Sequence, residues 1–185
     1  MRFRKIIHIL GVLIPVAAGT IGKIQTLALV LVGFCIYLAL EALKPKISRD
    51  FLLRVYRENE LKGLSIEPFS YFISILSLLS LSFFIDERIC FAAIAILAVG
   101  DGFAGAIGKS YGRHGLPFNE NKSWEGTLSG FIVASVAGFY FAGPIAIIGS
   151  FFGMLADAVS KHDNLSVPYA ALASMLLVQY SGLIN

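Results

Sequence analysis

Two aspartates stand where hydropathy alone would draw uninterrupted membrane helices: Asp101 in "AVGDGFAGAIGKSYG" and Asp157 in "FFGMLADAVS". An ionisable group at such depth costs ~2.5–3.5 kcal/mol on insertion scales, so it marks a functional candidate by default. On a helix, Asp101, Gly105, Gly108 and Gly112 follow at i, i+4, i+7 and i+11, and Gly149, Gly153 and Asp157 at i, i+4 and i+8. Each acid therefore shares a face with a row of glycines. Gly126, Gly130, Ala134 and Gly138 form a third small-residue stripe. Such stripes let membrane helices approach closely. Packing alone would account for the glycines, but it does not need a carboxylate. Two carboxylates in one cavity repel each other unless a cation sits between them, and oxygen ligands of this kind suit Mg²⁺ shared with substrate phosphates. Asp101 and Asp157 are accordingly the first catalytic and metal-ligand candidates.

A third element of chemistry lies in "NKSWEGTLSG", residues 121–130. Lys122 and Ser123 come just before an apolar run, so the free N–H groups and positive dipole end of the following helix would offer an anion site, with the Lys122 cation beside it. Glu125 suits either a first-turn acid or a metal ligand. Asp163 and Asn164 are turn formers ahead of Pro168, and they also stand at the mouth of the same cavity. Two familiar patterns are discarded. "GDGFAG" fits G-x-G-x-x-G but lies inside an apolar helix rather than between a strand and a helix, and "GKS" lacks the glycine a P-loop requires five places earlier, where Phe103 stands.

The elements that must position these residues follow from composition. Of 185 residues, 57% are hydrophobic and 15% charged, far from the roughly 25% charged of a soluble domain. The mean hydropathy is +0.78. The chain is predicted to be an all-α polytopic membrane bundle, a single domain over 1–185, with seven spans at about 6–22, 24–43, 67–85, 88–108, 125–143, 144–160 and 166–184. The first run also has the form of a signal peptide, but it is read here as an uncleaved span. With seven spans, thirteen of the fifteen Lys and Arg residues fall on the side of the N-terminus, and only Lys23 and Arg88 on the other. The N-terminus and the active site are therefore expected to face the cytoplasm, in a cell or endoplasmic-reticulum-type membrane. The basic segment 44–66 reads either as an anchor beside anionic lipid heads or as a substrate-binding element. Cys35 and Cys90 have no metal spacing and read as small hydrophobes.

In order along the chain, "RKIIH", "YREN-E" from Tyr56 to Glu60, "GDGFAGAIGKSYG", "NKSWEGT" and "HDNLSVP" resemble the CTP-dependent lipid kinases: dolichol kinase, phytol kinase and the CTP-using diacylglycerol kinase. The resemblance covers most of the chain. It implies transfer of the γ-phosphate of CTP, with Mg²⁺, to the hydroxyl of a membrane lipid, an isoprenoid alcohol first among the candidates. Carried over position by position, it assigns nucleotide binding to Lys5 and His8 in the basic start, to Lys122, Ser123, Glu125, Gly126 and Thr127 in K-[ST]-x-E-G-T, and to Asp163 and Asn164 in D-N-x-x-x-P. Catalysis falls to Asp101, Lys122 and Asp157, and metal binding to Asp101, Asp157 and Glu125. Where members usually carry glutamate, this chain has Asp157, a methylene shorter. Phosphatidate cytidylyltransferases share D-x-x-A-x-x-x-G and K-S-x-E-G, but their C-terminal signature of K-D, H-G-G and D-R-x-D is absent after Ser150. That enzyme, which makes a CDP-lipid and releases pyrophosphate, is the alternative, and a small ion transporter is a remoter one. The implied partners are CTP, a lipid alcohol and the bilayer, with no nucleic acid. The small-residue stripes leave open whether the helices they join belong to one chain or to several.

Overall fold

The structure, a computed structural model, describes residues 2–49, 52–53, 56, 58–61 and 63–182, except the side chains of residues 2–5 and 59. Among the described residues the chain runs α1 (Arg2–Leu10), α2 (Leu13–Thr20), α3 (Lys23–Leu43), α4 (Ile66–Leu81), α5 (Glu87–Tyr111), β1 (Gly115–Leu116), β2 (Asn119–Ser123), α6 (Trp124–Ala142), α7 (Ile145–Val159) and α8 (Asp163–Ser181). Connections of two or three residues, Ile21–Gly22, Gly143–Pro144 and Ser160–His162, fold successive helices back on one another.

The long apolar runs supply every helix, yet α3, α5 and α6 alone are both long and apolar enough to cross a membrane among the described residues. The first span divides at Gly11 and Val12. There the Tyr71 hydroxyl donates to His8 O at 2.8 Å, and a Cβ on Gly11 would lie 1.8 Å from that hydroxyl. The glycine admits the tyrosine, and His8 O accepts from the Gly11 N–H and the Tyr71 hydroxyl while the Val12 N–H, its partner in a continuous helix, turns to Ile9 O. The span expected over 67–85 stops at Leu81, where the N–H groups of Phe83 and Phe84 turn back to Ser80 O and Leu81 O.

At the centre stands α5, its residues Ile89 to Ala98 buried on all sides. Small residues let α6 and α7 close on it: a Cβ on Gly130 would meet Met154 Cε at 2.6 Å and Gly100 O at 2.7 Å, and one on Gly126 would meet Ala104 O at 2.7 Å. The glycine stripes thus serve contacts within the chain. Opposite its stripe, α6 exposes Leu128, Ile132, Val136 and Phe139, and α3 exposes Leu29, Val32 and Ile36. Small residues inward and large apolar residues outward suit a hydrocarbon surround.

Two local features were not legible in the sequence. Residues Ile96–Asp101 form a π-helical stretch inside α5, a widening that resets which side chains face the core and often marks functional positions. The polar connection read as a loop contains an antiparallel pair, Gly115 opposite Ser123 and Leu116 opposite Asn119.

Candidate active site

The sequence places acids and small residues near helix ends, and the short turns bring those ends together. Asp101 ends the π stretch of α5, Lys122 is the last but one residue of β2, Asp157 lies in the last turns of α7, and Asp163 opens α8. With His8 of α1 they line a cavity of about 830 Å³. Gly105, Gly108, Ser123, Gly126, Thr127 and Asn164 line it as well.

Carboxylate oxygens of Asp101, Asp157 and Asp163 all lie within 4.8 Å of one another. Lys122 Nζ donates to Asp157 Oδ1 at 2.5 Å and to Asp163 Oδ2 at 2.8 Å. Burial pushes the Lys122 amine down, but the Asp157 and Asp163 carboxylates outweigh it and hold the group above the ordinary lysine value. One ammonium set against three carboxylates leaves the group net negative. The Asp157 side chain is fully buried, and its Oδ2 has no hydrogen-bond partner among the described residues. A buried, unpartnered carboxylate oxygen is costly. A hard divalent cation among the three aspartates would supply both the missing partner and the missing charge, so the donor set fits Mg²⁺.

His8 Nε2 stands 3.2 Å from Asp101 Oδ2, its ring tilted against Tyr71 with centroids 4.2 Å apart. Gly102 makes this approach possible, since a Cβ there would meet Ile9 Cγ1 at 2.5 Å. Asn164 Nδ2 donates to Glu67 O at 2.9 Å, and Ser74 Oγ donates to Asn164 O at 2.6 Å, fixing the start of α8 against α4. The Asn164 Oδ1 and Thr127 Oγ1 atoms are buried, with no hydrogen-bond partner among the described residues.

Other candidates are placed differently. Glu125 receives the His114 backbone N–H, lies 2.6 Å from His114 Nδ1 and is not among the residues lining the cavity. It is not brought into the aspartate trio, and Asp163 stands there instead. The start of α6 is already capped: Ser123 Oγ accepts from Gly126 N at 3.2 Å, and Trp124 N donates to His114 O at 3.0 Å. The anion site expected there has fewer free donors than a bare helix end; Lys122 is the cation held among the aspartates, and Lys109 and Lys161 line the cavity as well. The Lys5 side chain lies outside the described residues. Sequence reasoning left out Asn119, whose Nδ2 ties the hairpin to Ala158 O at 3.0 Å, and Tyr56 and Glu67, which line the cavity from the α3–α4 side. Asp163 was legible as a residue at the mouth of the cavity but not as a third member of the carboxylate group, because its nearness to Asp101 depends on the α7–α8 turn.

The chain is 31% identical over 205 aligned residues to a probable phytol kinase 1, chloroplastic, of Oryza sativa subsp. japonica, an alignment covering 96% of this chain and 65% of that protein. Phytol kinase 1, chloroplastic, of Arabidopsis thaliana is 26% identical over 94% of this chain and 65% of its own length. Farnesol kinase, chloroplastic, of the same plant is 35% identical over 65% of this chain and 44% of its own length. This chain is a relative of the plant phytol and farnesol kinases. It spans less than two thirds of those relatives' length. No family model and no solved structure matches it.

Proposed function

We propose that this chain is a membrane-embedded kinase that phosphorylates the hydroxyl of an isoprenoid alcohol, with CTP as donor and Mg²⁺ as cofactor. The observation that carries the reading is the trio Asp101, Asp157 and Asp163 around Lys122, at one end of the bundle and lining a cavity large enough for a nucleotide. The relatives named for phytol and farnesol support an isoprenoid acceptor of their size over the longer dolichol.

Asp101, Asp157 and Asp163 would hold Mg²⁺, which when bound draws charge from the phosphate oxygens. Lys122 neutralises charge on the transferred phosphoryl group, since catalysis of this kind is mostly positioning and electrostatics. Thr127 Oγ1 and Asn164 Oδ1 offer unused polar atoms to the nucleotide. The acceptor oxygen forms a bond to the γ-phosphorus as the bond to the β-phosphate oxygen breaks; CDP departs, and a carboxylate of the trio takes the hydroxyl proton. His8 orients Asp101 from one side. The expected topology has seven spans, with this end of the bundle on the cytoplasmic side, where thirteen of the fifteen Lys and Arg residues gather.

A screen of purified protein with farnesol, geranylgeraniol, phytol and dolichol against the four nucleoside triphosphates tests the reading. Lipid phosphate should form fastest with CTP and a short isoprenoid alcohol, and only with Mg²⁺ present. No lipid phosphate from any pair would contradict it.

A further inference from the structure

Lys44 lies in the basic segment that reads from sequence either as a headgroup anchor or as a substrate-binding element, but it is 7% exposed. Its Nζ lies within hydrogen-bond distance of four oxygens: Glu41 Oε2 at 2.7 Å, Ser65 Oγ at 2.7 Å, Glu60 O at 2.9 Å and Gly63 O at 3.1 Å. The same ammonium sits 4.2 Å over the ring of Tyr56. A buried lysine so engaged fixes backbone as well as side chains, here tying the far end of the α3–α4 connection to the end of α3. A headgroup anchor would leave its amine in water.

What that node fixes is a wall of the cavity. The α5–α8 side lines it with carboxylates and Lys122, while the α3–α4 connection contributes Leu53, Tyr56 and Glu58, with Glu67 at the start of α4 beside them. Tyr56 is 6% exposed, and its hydroxyl lies beside the Glu41 carboxylate without a well-aligned hydrogen bond among the described residues. Burial first, and then the Glu41 charge, raise the Tyr56 phenol above its usual range, so it remains a neutral donor and acceptor rather than a base. One face of its ring is taken by Lys44, and the ring packs in a cluster with Leu52, Phe34, Ile47 and Phe69. This leaves little face for stacking on a nucleobase, and the hydroxyl has only a poorly aligned partner in Glu41. The cluster continues through Phe34, Tyr37 and Phe72, with ring centroids 5.5–6.2 Å apart, into α3, whose outer face is apolar and exposed at Val32 and Ile36. An apolar tail leaving the cavity on this side would meet apolar surface.

We propose that Tyr56 and Leu53 form the acceptor-alcohol subsite, the Tyr56 hydroxyl bonding the alcohol oxygen and Leu53 packing on its first isoprene units, with Lys44 as the positioning residue that holds Tyr56 in the wall. This rests on the kinase reading above and adds the residues that select its acceptor.

The test measures equilibrium binding of tritiated farnesol and phytol to purified full-length protein in detergent without nucleotide, and of Mg-CTP separately. Tyr56→Phe should weaken alcohol binding roughly three- to tenfold, the size of one lost hydrogen bond, and leave Mg-CTP affinity unchanged. Leu53→Ala should change the ratio of farnesol to phytol affinity. Lys44→Met should weaken alcohol binding at least as much as Tyr56→Phe, again sparing Mg-CTP; if it does not fold, the other two variants decide. Unchanged alcohol affinities in Tyr56→Phe and Leu53→Ala would overturn the assignment, as would a loss confined to Mg-CTP. Because binding is read without turnover, wild-type protein that binds these alcohols but never phosphorylates them would sink the kinase reading alone.

Discussion

Asp157 carries more constraint than any other side chain of the site. It is fully buried, gives one oxygen to Lys122, and keeps the other unpartnered among the described residues. Asp157→Asn preserves shape while removing a charge that repels Asp101 and Asp163. The variant should stay folded, with a melting temperature at or above that of wild type, and its kcat should fall roughly a hundredfold or more, the scale of losing one electrostatic group in a transition state. Lys122 behaves in the opposite way. Lys122→Met leaves two neighbouring carboxylates uncompensated, and breaking a buried pair on one side costs ~3–5 kcal/mol. Thermal melts of this variant should show a large loss in metal-free buffer and a partial recovery with added Mg²⁺, since a cation among the aspartates replaces the missing charge. Identical melts with and without Mg²⁺ would remove the case for a metal there.

At the scale of elements, the site depends on how closely α5, α6 and α7 approach. A Cβ on Gly130 would meet both Met154 Cε and the Gly100 carbonyl oxygen. The sulfur side chain can move and the backbone cannot. Gly130→Ala should therefore cost ~1–3 kcal/mol, read as a lower midpoint of unfolding, and should reduce activity because Asp101 lies one residue from Gly100. The stripes themselves were readable from i, i+4 spacing, as were the two acids set in apolar helices, because helical periodicity is a local property. The π stretch Ile96–Asp101 was not readable, since a widened turn depends on packing around α5 that no spacing encodes. The division of the first span at Gly11 depends likewise on Tyr71, which is sixty residues distant in sequence. Lys44 shows the same limit from the other side: its type and position suit a surface anchor, and only the fold of the α3–α4 connection buries it.

For the whole molecule, alternating short turns gather the starts of α4, α6 and α8 and the ends of α5 and α7 at one end of the bundle. The cavity opens there, which is why acids scattered over more than sixty residues of sequence share one space. The count of positive loop charges predicts that this end faces the cytoplasm. An Asn121→Cys variant, placed in the exposed hairpin, should react with a membrane-impermeant maleimide in inside-out vesicles and be protected in right-side-out ones. The reverse pattern would invert the orientation. The central claim, phosphoryl rather than cytidylyl transfer to an isoprenoid hydroxyl, is tested most directly by supplying purified protein and Mg²⁺ with farnesol or phytol and CTP labelled at either the α or the γ phosphorus. The account predicts that lipid label comes from the γ position alone, with CDP as the other product; lipid label from the α position, with release of pyrophosphate, would contradict it.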